Sequence, residues 1–422
     1  MRNTDHFKDK KIAVVGLARS GLACANLLYE VGAQVWVSDH QDTEATRALA
    51  GQLRSKDIRV ELGRHTPECI KGKDVVVVSP GVTKASPAVA WALEEKIPVI
   101  SEIEVGWELC PAVCIAVTGS SGKSTVTTLI GDCLASSGKK SFVLGNIGNP
   151  FCAEVDKVRE GDFVSLEVSS FQLERIKAFK PKIAVMLNFN RNHLDRHKDM
   201  GEYLDAKKRI FMNQDKNEYL VLNRQDAVLC GLADQAKARV IFFNGSKEYN
   251  PNQAAVVAVA SILGISDAVC KKVFSEFKGL AHRLEYVTTI QGVTFINDSK
   301  ATLAESTVWA IQSIPGKIIL IAGGKDKGVE YGGIVQAAAH KVKEVIVIGE
   351  AKDKIRQALN GFLPLTQAQS LKEAVASAFR KAAPGDYVLL SPMCSSFDMF
   401  LDYEERGRAF KEAVTALART AV

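Results

Sequence analysis

The sequence lacks several features that would each point to a particular class of protein. None of its nine cysteines forms a C-x-x-C pair, and an odd, scattered set argues for reduced thiols rather than a disulfide framework. No apolar run approaches the roughly 20 residues that a membrane-spanning helix needs. The charged N-terminus, MRNTDHFKDKK, has no apolar stretch typical of a secretory signal. These absences predict a cytoplasmic protein with no membrane span.

Charge and composition leave small anionic molecules as the favoured partners. The net charge of +6 is mild for 422 residues, and no basic run or aromatic-interleaved patch indicates nucleic-acid binding. Hydrophobic residues make up 47% and charged residues 24% of the chain, which is ordinary globular composition. At roughly 150 residues per domain, the length predicts about three domains.

Short apolar runs followed by glycine-rich turns and amphipathic helices recur along the chain. They include KIAVVGLA, QVWVSD, DVVVVSPG, VCIAVTG, DFVSLEVSS, KIAVMLNF, KIILIAGG, EVIVIGE and DYVLLSP. Near-continuous Val, Ile and Leu strands indicate burial on both faces, as in parallel sheets covered by helices. The pattern predicts a doubly wound α/β fold that is repeated. We place the domains at 1–104, 105–281 and 282–422.

The segment VTGSSGKST contains most of the residues of a phosphate-binding motif. A Walker A loop, G-x-x-x-x-G-K-[ST], needs glycine where this chain has Val117, and the upstream glycine comes two residues later, at Gly119. The run CIAV before it predicts a strand, and STVTTLIGDCLASSG after it predicts a helix that ends at Gly138. A plain strand–helix turn is the alternative.

Phosphate binding is favoured over a plain turn because of where the loop lies. Backbone N–H groups and the helix dipole at a helix N-terminus attract an anion. Lys123 can reach the β- and γ-phosphates, and the hydroxyl of Ser124 or Thr125 can complete a Mg²⁺ shell.

Two further side chains follow predicted parallel strands. Glu167 ends DFVSLE, and His193 follows KIAVMLNF. Each alone is as easily a structural residue, a hydrogen-bonded buried acid or a surface histidine. Because the carboxyl ends of parallel strands share one edge of a sheet, both are candidates for a metal-phosphate site.

The N-terminal segment VVGLARSG resembles a dinucleotide-binding turn, G-x-G-x-x-G, with Ala18 at the middle glycine. Its Cβ crowds the close approach that a pyrophosphate needs. Asp39 ends the next strand, where an acid binds the ribose of NAD. An oxidoreductase therefore stays open as an alternative function.

Several motifs together resemble the Mur ligase family. They are VTGSSGKSTVTTLIG, LGNIGNP, LEVSSFQLE, NRNHLDRH…YLDAKKRIF, AHRLE, NDSKAT, GGKDKG and LLSPMCSSFDMFLDYEERG, and they span all three domains. SSFQLE and SPMCSSFD…F…ERG are similar to the D-glutamate-adding member. The resemblance implies a Rossmann-like N-terminal domain, a central P-loop-type ATPase domain and a Rossmann-like C-terminal domain.

The resemblance also implies the reaction and its cofactors. ATP would activate the carboxylate of UDP-N-acetylmuramoyl-L-alanine as an acyl phosphate, which the amine of D-glutamate would then attack. Lys123 and two Mg²⁺ ions would neutralise charge over the γ-phosphate. The implied metal ligands are Ser124, Glu167, His193 and Lys207, the last as a CO₂-derived carbamate; Lys123, His193 and Lys207 would be catalytic.

The remaining site residues are carried over in three groups. The nucleotide group comprises Gly119, Ser120, Ser121, Gly122, Lys123, Ser124, Thr125, Asn252, Arg283, Asp298 and Lys300. The UDP-substrate group comprises Arg19, Ser20, Asp39, Ser79, Gly81 and Asn146. The D-glutamate group comprises Thr302, Lys327, Ser396 and Tyr403.

The chain departs from the family pattern on the adenine side. The family has H-N-x-x-N before an alanine-rich helix, whereas this chain has Glu248 and Tyr249 at the first two positions and keeps Asn252. The segment before them is also shorter.

Two other functions remain as alternatives to this ligase. One is a Mur- or folylpolyglutamate-type ligase that adds a different amino acid, and the other is a non-catalytic nucleotide-binding regulator. The expected assembly is a monomer with small-molecule partners.

Overall fold

The computed structural model describes residues 1–190, 196–326 and 331–420. They form two compact units, Met1–Phe277 and Lys278–Val422. The first unit contains two sheets and the second contains one. Three mostly parallel α/β sheets confirm the predicted fold class. The domain boundaries at 1–104, 105–281 and 282–422 stay a prediction.

The first sheet has five parallel strands in the order β3-β2-β1-β4-β5. Its strands and helices are β1 (Lys11–Val15), α1 (Arg19–Glu30), β2 (Gln34–Asp39), α2 (Glu44–Ala50), β3 (Arg59–Leu62), β4 (Val75–Val78), α3 (Pro87–Glu94), β5 (Val99–Ser101) and α4 (Glu102–Leu109). Alternate residues of β1 join different hydrophobic clusters, Ile12 and Val14 on one face and Ala13 and Val15 on the other. Burial of both faces explains why the strands read as continuous apolar runs.

The order of this sheet reverses between β1 and β4. The loops that follow these two strands therefore flank a crevice at the carboxyl edge, which is where open α/β sheets bind their ligands. Of the predicted UDP-substrate residues, Ser79 and Gly81 lie in the loop after β4, and Arg19 and Ser20 begin α1 directly after the loop that follows β1.

The second sheet has six parallel strands in the order β11-β10-β9-β6-β8-β7. Its elements are β6 (Val113–Thr118), α5 (Lys123–Ser136), β7 (Ser141–Gly145), β8 (Phe163–Glu167), α6 (Ser170–Leu173), β9 (Ile183–Met186), α7 (Met200–Lys208), β10 (Tyr219–Asn223), α8 (Ala227–Cys230), β11 (Arg239–Phe243), α9 (Pro251–Ile262) and α10 (Asp267–Glu276). Strand β6 lies at its centre, so the loop after β6 has neighbouring loops on both sides.

Local sequence explains where the helices at this edge begin. Ser169 and Gln172 form a capping box at the start of α6, and Asp199 accepts a hydrogen bond from the Glu202 N–H at the start of α7. Each side-chain oxygen satisfies a backbone donor that the first turn of the helix leaves without an intrahelical partner. Pro251 follows the cap of α9 at a position where its missing N–H has no consequence.

The third sheet, in the second unit, has the order β12-β13-β17-β14-β15-β16, with β12 antiparallel to β13 and the other pairs parallel. Its elements are β12 (Glu285–Ile290), β13 (Val293–Asn297), α11 (Ala304–Ser313), β14 (Ile318–Gly323), α12 (Val335–Ala338), β15 (Val342–Ile348), α13 (Lys352–Leu359), β16 (Leu365–Gln367), α14 (Leu371–Lys381), β17 (Tyr387–Leu390) and α15 (Tyr403–Thr420). Because β17 lies between β13 and β14, the loops after these three strands meet at one edge.

Among the described residues, no helix combines the length and the apolar character that crossing a membrane requires.

Candidate active site

The loop between β6 and α5 is the strand–turn–helix that the sequence predicts. Its helix extends to Ser136, two residues before the predicted end. Gly122 has a φ of 79°, in the left-handed region that favours glycine. A Cβ at this position would lie 2.5 Å from the Asn252 Oδ1 atom, so glycine here also lets α9 pack closely against the loop.

A neighbouring strand end holds this loop in shape. The Ser120 N–H donates to the Asn188 carbonyl oxygen at 3.1 Å, and the Ser121 N–H donates to the Asn188 Oδ1 atom at 2.9 Å. Asn188 follows β9, so the loop is fixed to the adjacent strand on one side. Sequence reasoning missed Asn188, although it stands in the NFN that follows the KIAVML run.

Two lysines share one backbone acceptor in the loop. Lys123 Nζ donates to the Gly119 carbonyl oxygen at 3.0 Å, and Lys207 Nζ donates to the same oxygen at 2.9 Å. Lys207 also donates to Thr118 Oγ1 at 3.3 Å. The structure therefore brings the two predicted catalytic lysines together, although they are far apart in the sequence.

Lys207 is only 2% exposed. Burial, and then the charge of Lys123, hold the pKa of the Lys207 ammonium well below its ordinary value, and the opposing charge of Glu167 recovers part of the shift. A lowered pKa increases the fraction of a lysine that carries a neutral, nucleophilic amine.

Glu167 ends β8 on the other side of β6. It is 1% exposed, and its Oε1 atom accepts a hydrogen bond from Asn146 Nδ2 at 2.8 Å. A residue predicted to contact the UDP substrate and one predicted to bind metal are thus in direct contact. Ser124, in the first turn of α5, is also buried.

The described residues include only part of the predicted metal site. His193 lies outside the described residues, and these contain no group of three or more His, Cys, Asp or Glu side chains placed to hold a metal ion. Glu167 and Ser124 nevertheless offer oxygen atoms, the ligand type that Mg²⁺ prefers.

The crevice of the first sheet contains the predicted UDP-substrate residues. Ser79 Oγ donates to the Gly16 carbonyl oxygen at 2.7 Å, which ties the loop after β4 to the loop after β1. Arg19 donates to the Gly148 carbonyl oxygen at 2.7 Å, next to the loop of Asn146. Gly81 follows in the turn after β4, and Ser20 lies in the first turn of α1.

Asp39, at the end of β2, accepts hydrogen bonds from two backbone N–H groups beside this crevice. Its Oδ2 atom accepts a hydrogen bond from the Leu17 N–H at 2.6 Å, and its Oδ1 atom accepts one from the Gln41 N–H at 2.8 Å. The carboxylate therefore ties the loop after β1 to the loop after β2. Contact with a nucleoside remains a prediction for Asp39.

Tyr249 stands where the family motif has its first asparagine, and it contacts a neighbouring helix. Its hydroxyl donates to Asp267 Oδ1 at 2.5 Å, and its ring packs edge-on against Phe274 at 5.8 Å. Tyr249 is thus directed to α10, while Asn252, three residues later, contacts the phosphate loop through Gly122.

In the second unit, Asp298 follows β13 and is 5% exposed. Its Oδ2 atom accepts a hydrogen bond from Ser391 Oγ at 2.8 Å, and its Oδ1 atom accepts one from the Leu284 N–H at 3.2 Å. Burial raises the pKa of Asp298 to about 7, against these hydrogen bonds and the nearby charge of Arg283.

Other predicted residues of this unit lie at the same edge. Lys300 Nζ lies 5.5 Å from the centre of the Tyr403 ring, and the Thr302 N–H donates to the Lys300 carbonyl oxygen at 2.9 Å. Ser396 is 2% exposed and lies in the loop after β17. Lys327 lies outside the described residues.

Arg406 is the main residue that sequence reasoning missed. It is 1% exposed and donates to Ser299 Oγ at 3.0 Å and to the carbonyl oxygens of Ser299 at 2.8 Å, Ser395 at 3.1 Å and Cys394 at 3.0 Å. Burial lowers its pKa to about 10. It joins the loop of Asp298 and Lys300 to the loop of Ser396, and its only sequence signal is its place in the YEERG motif.

The fold and the loop after β6 define the class of the chain, an α/β protein with a P-loop-type domain. Three family models match it: the Mur ligase MurD-like N-terminal domain over residues 10–101, the Mur ligase middle domain over 117–275, and the Mur ligase glutamate ligase domain over 282–394.

Relatives match nearly the whole chain. The UDP-N-acetylmuramoylalanine–D-glutamate ligase of Thermoanaerobacter pseudethanolicus is 40% identical over 452 aligned residues, covering 98% of this chain and 100% of the relative. The ligase of the same name from Geotalea uraniireducens is 41% identical, covering 97% of this chain and 98% of the relative. The chain belongs to the Mur ligase family.

Solved structures agree on the fold. UDP-N-acetylmuramate-alanine ligase MurC from Thermotoga maritima has a TM-score of 0.63 at 18% identity, covering 97% of this chain and 100% of that one. A pseudomurein peptide ligase type C from Methanothermus fervidus has a TM-score of 0.58 at 17% identity, covering 97% of this chain and 100% of that one. At these identities the likeness concerns the fold alone.

Proposed function

We propose that this protein is an ATP-dependent ligase that joins D-glutamate to UDP-N-acetylmuramoyl-L-alanine, a step of peptidoglycan precursor synthesis. The observation that carries the proposal is 40% identity to ligases of that name over 98% of the chain. The geometry supports it, because Lys123 and Lys207 meet at the loop after β6 and Glu167 ends the neighbouring strand. Phosphoryl transfer between two anions requires such charged groups.

The reaction has two balanced steps. An oxygen of the substrate carboxylate attacks the γ-phosphorus of ATP, and the bond to the bridging oxygen breaks to leave ADP and an acyl phosphate. The D-glutamate amine then attacks the acyl carbon, phosphate leaves, and the amine loses a proton as the amide forms.

Lys123 has a direct part in the first step. Its ammonium group now lies over the Gly119 carbonyl oxygen, at the N-terminus of α5, where phosphate oxygens would be attracted. Moving from this carbonyl to a phosphate would place its charge where negative charge accumulates. Bound Mg²⁺ would supply further charge neutralisation, with Ser124, Glu167 and His193 as its ligands.

Lys207 fits a carbamate, which is the finer part of the proposal. A neutral amine attacks the carbon of CO₂ and releases a proton, forming an N-carboxylate that can bind Mg²⁺. Burial and the charge of Lys123 favour the neutral amine that this addition needs. The buried position beside Glu167 then needs a cation, since two carboxylates would otherwise repel each other.

In the second unit, we assign Arg283, Asp298 and Lys300 to the nucleotide, and Thr302, Lys327, Ser396 and Tyr403 to D-glutamate. Cation and hydroxyl donors suit a dicarboxylate substrate. A cytoplasmic location is part of the same proposal, because ATP and UDP-linked sugars are cytoplasmic metabolites. The proposed assembly is a monomer.

The test is an assay of ADP and phosphate release with UDP-N-acetylmuramoyl-L-alanine, ATP and a panel of amino acids. We expect release that depends on D-glutamate, together with a product heavier than the acceptor by one glutamyl residue. Release with L-alanine but not with D-glutamate would overturn the substrate assignment and support a different amino-acid ligase. Nucleotide binding with no release under any condition would indicate a regulator.

A further inference from the structure

Lys84, in the loop after β4, forms ion pairs with residues outside the first sheet. Lys84 Nζ lies 2.5 Å from Glu202 Oε1 and 3.6 Å from Glu174 Oε1. Glu202 is in the first turn of α7, and Glu174 ends α6. These helices follow β8 and β9 of the second sheet in the chain, so Lys84 links the crevice of the first sheet to elements of the second sheet within one compact unit.

Helix α7 also contacts the phosphate loop. Tyr203, next to Glu202, is fully buried, and its hydroxyl lies 3.2 Å from Ser120 Oγ. One turn later, Lys207 donates to the Gly119 carbonyl oxygen. A single short helix therefore touches both loops, through Glu202 at one end and through Tyr203 and Lys207 along its length.

A second set of contacts supports the same link. Arg196 donates to the Val82 carbonyl oxygen at 2.8 Å and lies 4.3 Å from the centre of the Phe171 ring. His197, which is fully buried, stacks on Phe171 and has its Nδ1 atom 3.3 Å from Glu174. The loop of Lys84 is thus held by a backbone contact and by charge, and Glu174 is shared between Lys84 and His197.

We propose that Lys84 is a positioning residue that couples the acceptor crevice to the phosphate loop. Through Glu202 and Glu174, it holds the loop Ser79–Lys84 on α6 and α7. An anionic acceptor that orders this loop in the crevice also fixes α7, and with it Tyr203 and Lys207 at the phosphate loop. This inference rests on the proposed function, since it assumes that acceptor and nucleotide bind to these two loops.

The exposure of the pair favours coupling over a role in stability. The Lys84 side chain is 53% exposed and that of Glu202 is 35% exposed, and such ion pairs contribute little to folding. Their removal should therefore leave the fold intact while loosening the contact between the loop and the helix.

The experiment measures the affinity of the full-length protein for a non-hydrolysable ATP analogue by calorimetry, with and without saturating UDP-N-acetylmuramoyl-L-alanine. The variants are Lys84→Met, Glu202→Gln, the double variant, and Lys84→Arg. Lys157→Met is the matched control, because the exposed Lys157 side chain pairs with Glu154 at 2.8 Å in the same unit and touches neither loop.

In the wild type we expect the acceptor to tighten binding of the analogue by roughly fivefold or more. Lys84→Met should reduce this factor to near unity, the double variant should add nothing further, and Lys84→Arg should restore most of it. The control should match the wild type, and all variants should keep the wild-type melting temperature.

Two results overturn the inference. One is an unchanged coupling factor in Lys84→Met, and the other is a loss of coupling that accompanies a lower melting temperature and that Lys84→Arg fails to restore. Failure of the proposed function is seen separately, as a wild type that releases no ADP with D-glutamate.

Discussion

Lys123 Nζ and Lys207 Nζ converge on a single oxygen, the carbonyl of Gly119, at 3.0 and 2.9 Å. Burial and the charge of Lys123 lower the pKa of Lys207, and the charge of Glu167 opposes this shift. A phosphate group bound near Lys123 would offset part of this positive charge, and so would the proposed carbamate on Lys207. The contact therefore relates the proposed nucleotide site to the proposed carbamate on Lys207.

Replacing Lys123 tests the phosphate loop. Lys123→Ala should lower kcat by about 100-fold or more, because one preorganised charge at the reacting phosphate is removed. Lys140→Ala is the control, since Lys140 follows the same helix and its exposed side chain pairs with Asp162 at 3.4 Å. Steady-state ADP release is the measurement, and equal rates for the two variants would contradict the assignment.

Replacing Lys207 tests the carbamate. Lys207→Ala should abolish most activity, and an added short-chain carboxylate should restore part of it by occupying the space of the missing anion. Lys208→Ala should retain activity, because Lys208 pairs with Asp205 on the exposed side of the helix. A carbamate signal in ¹³C NMR with labelled CO₂ should be present in the wild type and missing from Lys207→Ala; full activity of that variant would refute the role.

The metal assignment depends on Glu167. Glu167→Gln keeps an oxygen to accept from Asn146 but removes the charge, so activity at fixed Mg²⁺ should fall by about 10- to 100-fold. Raising the Mg²⁺ concentration should recover part of it. Glu160→Gln, at an exposed position, is the control, and full wild-type activity in the presence of a chelator would exclude the site.

Glu102 predicts a pH-dependent stability. It begins α4 and is fully buried, and burial raises its pKa to about 7 against the hydrogen bond from the Cys152 N–H. An acid whose pKa is higher in the folded state stabilises the fold below its unfolded pKa of about 4.3, and this contribution is lost as pH rises towards 7. The loss is on the order of 3 kcal/mol.

Glu102→Gln should remove this dependence, because glutamine resembles the protonated acid. Denaturant melts should show similar stability of variant and wild type at pH 5 and a more stable variant at pH 8. Glu104→Gln is the contrast: Glu104 accepts from the N–H groups of Lys177, Ala178 and Phe179, so this variant should be less stable at both pH values. A Glu102→Gln variant that is less stable at pH 8 would contradict the prediction.

Arg406 should matter for both the fold and the site of the second unit. Arg406→Met leaves several buried carbonyl oxygens without a donor, which should lower the free energy of unfolding by about 3 kcal/mol or more. Arg408→Met, at an exposed position, should be within about 0.5 kcal/mol of the wild type. Urea unfolding provides the comparison, and an Arg406→Met variant of wild-type stability would show that the four contacts are dispensable.

Some of these features were predictable because they are local. A glycine turn between an apolar run and a helix places Lys123 at a helix N-terminus whatever the rest of the chain does, and a residue such as Glu167 at the end of a buried run lies at the carboxyl edge of a sheet. Periodicity and turn residues report such short-range facts. The family resemblance then assigned roles to them, including that of Lys207.

The sequence by itself therefore determined the α/β class, the phosphate loop and which strand ends carry polar side chains. The tertiary structure alone decided which of those ends are neighbours, because β8 lies between β6 and β7, and β17 lies between β13 and β14. It also decided that Arg406 is buried, that Tyr249 turns towards α10, and that Lys84 reaches α7. Burial and ion pairing depend on groups brought together from distant positions, and no local pattern in the chain records which of them will meet.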